Sequence, residues 1–144
     1  MSRLRNYINF SSHEKKMFFL ALYYSAFARY LTFFYSIKQF SKFLGEHNTE
    51  TPENHIVELD EILGIIRKSV RRGAKYTPWR TKCMEEAIIA KFLLKKLKLQ
   101  STIYFGVSKN NNKEMIAHAW LRCGDIIITG YKGVKKFTKV ASFS

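Results

Sequence analysis

A thiol and an imidazole are the side chains of this sequence best placed to do chemistry. Cys83 falls where the extended run Tyr76-Thr77-Pro78-Trp79 gives way, through Arg80, Thr81 and Lys82, to the apolar stretch CMEEAIIAKFLL, and His118 lies in the later run AHAWLRCGD. A helix that starts at such a boundary leaves its first backbone N–H groups without intrahelical partners, and a cysteine there is in a setting that favours thiolate over thiol. The same N–H groups suit the oxyanion of a tetrahedral intermediate, Arg80 and Lys82 add positive potential, and His118 is the candidate base. The chemistry to expect is that of a thiolate–imidazolium pair.

The competing reading is structural, because free cysteine is among the most buried residue types and a strand histidine often satisfies a core hydrogen bond. Strand alternation puts Ile116, His118, Trp120 and Arg122 on one face and Ala117, Ala119, Leu121 and Cys123 on the other. Cys123 therefore reads as a buried structural thiol outside the site. His13, His47 and His55 read as solvent-facing or local. No Cys/His/Asp/Glu group has zinc-ligand spacing and no phosphate-cradling glycine loop occurs, so neither metal nor cofactor is expected.

The elements that must position the pair follow from pattern. Ser11 and Glu14 have capping-box spacing ahead of an aromatic-rich apolar run that continues to Leu44-Gly45, which predicts one long helix or two. Met17 to Ile37 is long enough to span a bilayer, but Arg29 near its centre costs roughly 2.5–3.5 kcal/mol on insertion scales. A core or partner-facing helix is the expectation, and membrane contact is not. Thr51-Pro52 predicts the start of an amphipathic helix carrying Ile56, Leu59, Ile62, Leu63, Ile66 and Val70, closed by Arg71-Arg72-Gly73. Thr81 is the expected cap of the helix that holds Cys83 in its first turn, and Ala87 to Leu94, apolar all round, should be central and buried. Thr102 to Val107, Met115 to Cys123, Ile126 to Thr129 and Phe137 to Ala141 read as strands, with a polar loop from Ser108 to Glu114 and a tight turn at Gly124-Asp125. Helices first and an antiparallel sheet second make an α+β fold.

At 144 residues the chain is expected to be a single domain, residues 1–50 forming an aromatic helical region ahead of a core from 51 to 144. Two cysteines make no disulfide framework and nothing resembles a signal peptide with a cleavage site, so a reducing cytoplasm is the default. The net charge of +14 is spread along the chain without a helix-turn-helix, zinc or RNA-binding signature. It reads as a solvated basic surface rather than a nucleic-acid site, although a non-catalytic basic module that binds a peptide or nucleic acid is the alternative to an enzyme.

The runs PWRTKCMEEAIIAKFLLKK, STIYFGVSK, IAHAWLRCGDIIITG and FTKVASF resemble the stand-alone leader peptidase of lasso-peptide biosynthesis, closely over residues 53 to 144. The resemblance implies a transglutaminase-like, papain-like cysteine protease fold, with its small sheet packed on the helix that starts at the nucleophile. It makes Cys83 the nucleophile and His118 its base. It also implies the partners: a precursor peptide bound by its leader, a separate leader-binding protein, and a separate cyclase that closes the macrolactam. Transamidation through the same thioester is a further outcome of this chemistry. In that family an aspartate on the next strand, about a dozen residues beyond the histidine, completes a triad. Here the neighbourhood reads Thr129-Gly130-Tyr131, with no carboxylate. Asp125 sits in the turn, roughly 20 Å from a position opposite His118 at about 3.3 Å per residue. The orienting group is therefore left open between Thr129, a backbone carbonyl and an asparagine of the 110–112 loop.

Overall fold

The computed structural model describes residues 11–79 and 81–144. Helix α1 (Ser12–Phe34) is followed by the short α2 (Ile37–Phe40) and a 3-10 turn at Ser41–Phe43; α3 (Asp60–Tyr76) and α4 (Cys83–Lys96) complete the helical half. Strands β1 (Thr102–Lys109), β2 (Met115–Cys123), β3 (Ile126–Thr129) and β4 (Thr138–Phe143) form one antiparallel sheet in the order β3-β2-β1-β4. The fold is α+β, a helical half followed by a small antiparallel sheet.

The core forms because α4 has no polar face to give to water. Ala87, Ile88, Ile89, Ala90, Leu93 and Leu94 are buried, and they share one cluster with Leu63, Ile66 and Val70 of α3, Met17, Ala21, Ala28 and Leu31 of α1, and Ile103, Phe105, Ala119, Leu121 and Phe143 of the sheet. Burying each Val, Leu, Ile, Phe or Met side chain of the cluster contributes about 1.5–3 kcal/mol. Ala119, Leu121 and Cys123 lie on this inner face of β2, in the alternation that the sequence predicts. Trp120 and Tyr104 are equally buried but lie outside the cluster, stacked on each other at 5.4 Å on the outer face.

The helical run after Ser11 does carry its capping box, Ser11 N–H donating to Glu14 and Glu14 N–H to the Ser11 hydroxyl, and it breaks at Tyr35-Ser36 into two helices. Three predicted helix boundaries differ, and β1 and β4 each run two residues further than expected, to Lys109 and Phe143. No helix starts at Thr51-Pro52; a 3-10 turn at Val57–Leu59 leads into α3 at Asp60. The Thr51 hydroxyl is bonded to Thr102, and the Thr51 and Pro52 carbonyls accept from Arg122 at 2.8 and 3.2 Å, so that backbone is held extended across the sheet. Gly73 does not end α3, which runs on to Tyr76, because at Gly73 the helix passes close to α1, with the Ala21 Cβ 3.4 Å from where a Cβ would stand. Thr81 does not cap α4: its hydroxyl pairs with that of Thr77, and Lys82 is the cap residue.

Arg122 is the hub of the outer face. It is 6% exposed and donates to the Tyr104 hydroxyl and to the carbonyls of Thr51, Pro52 and Gly124. Removing it takes the donor from one buried acceptor, the Tyr104 hydroxyl, and from three carbonyls on half-buried or exposed residues. Arg122→Ala is expected to lower unfolding stability by roughly 1–3 kcal/mol, read as a reduced urea midpoint. Lysine will restore little, since one ammonium cannot reach the acceptors that the guanidinium fork spans.

His55 proves to be more than a local surface residue. It bridges Asp125, at 2.9 Å from Nδ1, and Asp60, at 3.3 Å from Nε2, tying the β2–β3 turn to the start of α3. The hydrogen bond to Asp125 is the main cause that raises its pKa above 6.5, followed by the charges of Asp125 and Asp60. The sign is that of a raised histidine: the bridge stabilises fully below the unfolded value, and its contribution fades as pH rises through the folded one. The Tm difference between the native protein and His55→Gln should therefore be larger at about pH 5.5 than at alkaline pH.

Candidate active site

Cys83 is the first residue of α4, and it is half-buried. The first backbone bond of the helix runs from Glu86 N–H to the Lys82 carbonyl, so the N–H groups of Cys83, Met84 and Glu85 have no acceptor within it. The approach to Cys83 is fixed by side chains: Trp79 Nε1 donates to the Ser25 hydroxyl of α1 at 3.2 Å, and the Thr77 hydroxyl bonds the Ala74 and Trp79 carbonyls. Arg80, expected to add positive potential, lies outside the described residues.

Glu85 carries a signal that pattern reading passed over. It is a carboxylate at 3% exposure two residues beyond Cys83, and its Oε1 accepts from Arg29 Nη1 and the Thr32 hydroxyl, both at 3.1 Å, while Lys82 N–H donates to Oε2. The acid three residues after a helix cap was visible in the sequence; its partners on α1 were not. Arg29, which sequence reading treats as a cost within an apolar run, is thus the cation that fastens α1 to the start of α4.

His118 is half-buried on the outer face of β2, opposite Gly106 of β1 and stacked on Phe137 at 4.8 Å and Trp120 at 6.0 Å. Gly106 makes this possible, because a Cβ there would stand 2.8 Å from the Trp120 ring and 3.0 Å from Phe137. The imidazole Nε2 is 2.7 Å from the Gly130 carbonyl oxygen. A carbonyl has no proton to give, so Nε2 carries the hydrogen and donates it; in the neutral ring Nδ1 then holds the lone pair.

From the point where α4 meets the sheet both candidates lie a similar way back along their own elements, but on different faces: α4 packs against the inner face of β2, and His118 is on the outer one. Lys91 of α4 donates to the Ser101 carbonyl, and Thr102 pairs with Arg122. Cys83 is about 12 Å back along the helix from Lys91, at 1.5 Å per residue. His118 is about 13 Å back along β2 from Arg122, at 3.3 Å per residue. Among the described residues no hydrogen bond joins the Cys83 thiol to His118 or to any other group. Catalytic contacts of this kind are often long in a free enzyme and tighten with substrate.

The family model of the transglutaminase-like superfamily matches residues 29–142. The chain belongs to that superfamily. No curated protein and no solved structure matches it. Members of the transglutaminase-like superfamily include cysteine proteases and acyltransferases, both of which work through a thioester on cysteine. The match begins within α1, so the superfamily region takes in the Arg29 that binds Glu85.

For a transglutaminase-like protein the third group is of interest. Asp125 is engaged with His55 and is not the partner of His118. Thr129 is not either: its hydroxyl is buried without a hydrogen-bond partner among the described residues. Of the loop asparagines, Asn110 bonds within its own loop to Asn112 and Glu114. The group at His118 Nε2 is the Gly130 carbonyl, at the separation of a dozen residues where the resemblance places an aspartate. Cys123 is buried, donates to the Gln100 carbonyl, and burial pushes its thiol up, which makes it the less reactive of the two cysteines. Among the described residues no group of three metal-ligating side chains occurs.

Proposed function

We propose that this protein is a cysteine endopeptidase that removes the leader from a lasso precursor peptide, ahead of macrolactam closure by a separate cyclase. The observation that carries the catalytic part is Cys83 at the first position of α4 in a chain of the transglutaminase-like superfamily. The leader-peptide part rests on the sequence resemblance, which extends through both the cysteine and the histidine runs. The precursor is presented by a separate leader-binding protein, and catalysis proceeds in the cytoplasm without cofactor.

In this reading His118 Nδ1 takes the Cys83 proton, and the thiolate attacks the scissile carbonyl carbon. The displaced electron pair becomes an oxyanion that the N–H groups of the α4 start receive. Collapse breaks the C–N bond, and the imidazolium gives its proton to the leaving amine, the new N-terminus of the core peptide. Water, deprotonated by His118, then splits the thioester to release the leader carboxylate and restore the thiol. Throughout, the Gly130 carbonyl accepts from Nε2 and keeps Nδ1 available, the orienting task of a third group, performed without a negative charge.

The test is incubation with a precursor peptide and its leader-binding protein, followed by mass spectrometry. Hydrolysis appears as a free leader carboxylate, and transamidation as a leader joined to an added amine. An intact precursor under conditions where the partner binds both components would overturn the reading. It would favour the non-catalytic peptide-binding module, which the absence of a closed Cys83–His118 hydrogen bond also suits.

A further inference from the structure

The outer side of α1 carries an apolar surface that neither the core nor the proposed site uses. Tyr23, Phe27, Tyr30 and Phe34 recur at four, three and four residues, which aligns them along one face over about 16 Å. Tyr23, Phe33 and Phe34 are 67, 72 and 65% exposed. At the C-terminal end of this ridge the rings touch, with Tyr30 to Phe34 and Phe33 to Phe34 each 5.0 Å between centroids. At its C-terminal end the ridge runs into a cleft of about 440 Å³ between α1 and α2, walled by Phe27, Tyr30, Phe40 and Phe43 and bordered by Lys38 and Lys42.

Charge selects the occupant. From Lys15 to Gly45 the chain has no carboxylate, Arg29 is taken up by Glu85, and Lys38 and Lys42 border the cleft, so two copies facing each other there would oppose like charges. Protein interfaces enrich aromatic residues but deplete lysine, whereas a bilayer surface accepts both, the rings at headgroup depth and the lysine stems extended towards phosphate. Crossing the membrane is a different matter. The inner face of α1 buries Met17, Ala21, Ser25, Ala28 and Leu31, and Arg29 holds the buried Glu85, so the helix cannot leave the core without opening it.

We infer that the Tyr23–Phe34 ridge, with Lys38 and Lys42, is a peripheral docking surface for an anionic phospholipid bilayer. The helix lies along the interface with its inner face still on the protein. This departs from the sequence expectation that membrane contact is unlikely, and it stands independently of the peptidase activity.

The experiment is co-sedimentation of the full chain with vesicles of phosphatidylglycerol and phosphatidylcholine, against vesicles of phosphatidylcholine alone. Binding is expected to the anionic vesicles and to weaken at high salt. The exposed triple variant Tyr23→Ser/Phe33→Ser/Phe34→Ser should lose it. Lys38→Glu/Lys42→Glu, which removes no apolar contact, should weaken it at least about tenfold, since each basic residue near such a surface is worth about a factor of five. No sedimentation of the native chain, or equal sedimentation of the charge-reversed variant, overturns the inference. So does a ridge-dependent dimer, or ridge-dependent binding of the leader-binding protein, in a chain that ignores vesicles.

Discussion

Cys83→Ala is expected to retain the fold and lose all but a residual trace of leader cleavage. The side chain removed is half-buried at a helix start, makes no hydrogen bond among the described residues, and lies outside the hydrophobic cluster, so the thermal midpoint should move little. Without the thiol there is no acyl-enzyme, and helix-start N–H groups alone leave only the residual catalysis that positioning provides. Iodoacetamide offers a second route to the same result. Cys123 is 4% exposed with its thiol pushed up by burial, so limited alkylation should modify Cys83 first and abolish cleavage while Cys123 remains free. Cleavage that persists at close to the native rate in the alanine variant, or after stoichiometric alkylation of Cys83, would remove Cys83 from the mechanism.

Gly130→Ala is expected to damage both stability and catalysis, for separable reasons. Gly130 has φ of +76°, and a Cβ there would stand 2.4 Å from the Ala119 carbonyl oxygen and 2.8 Å from the Trp120 Cβ. The left-handed backbone alone costs an alanine roughly 1–2 kcal/mol. The contact with Ala119, next to His118 on β2, must also be relieved by moving the carbonyl that holds Nε2. Gly133→Ala is the control. Its φ is +73°, but its Cβ would meet nothing closer than 4.0 Å, so it bears the backbone cost without touching the histidine. Compared well below both unfolding midpoints, Gly130→Ala should lose kcat by about 10²-fold or more with KM nearly unchanged, as expected when a positioned base is displaced, and Gly133→Ala should not. Equal kcat in the two variants would mean that the Gly130 carbonyl does not orient His118.

The parts of the fold that local pattern controls were legible from the residues. Gly124-Asp125 ends β2 and starts β3 where the alternation stops, Cys83 opens α4 as the change from extended to apolar sequence demands, and Ser11 and Glu14 form their capping box. Each depends on side chains within four residues of one another. The misplaced boundaries share the opposite property. Thr51-Pro52 looks like a helix start, yet its carbonyls are taken by Arg122 from the far side of the sequence; Gly73 looks like a stop, yet its missing side chain serves the approach of α1.

The candidate site divides along the same line. By itself the sequence named the candidates, Cys83 at the head of an apolar helix and His118 on an alternating strand, because thiol, imidazole and helix start are properties of residue types in local order. Only the tertiary structure decided what holds them. Glu85 meets Arg29 across 56 positions, and His118 is oriented by a backbone carbonyl at Gly130. A carbonyl belongs to every residue, so no letter of the sequence marks the one that points at an imidazole. Only the positive φ of Gly130 and its close approach to β2, set by sheet packing, aim it there.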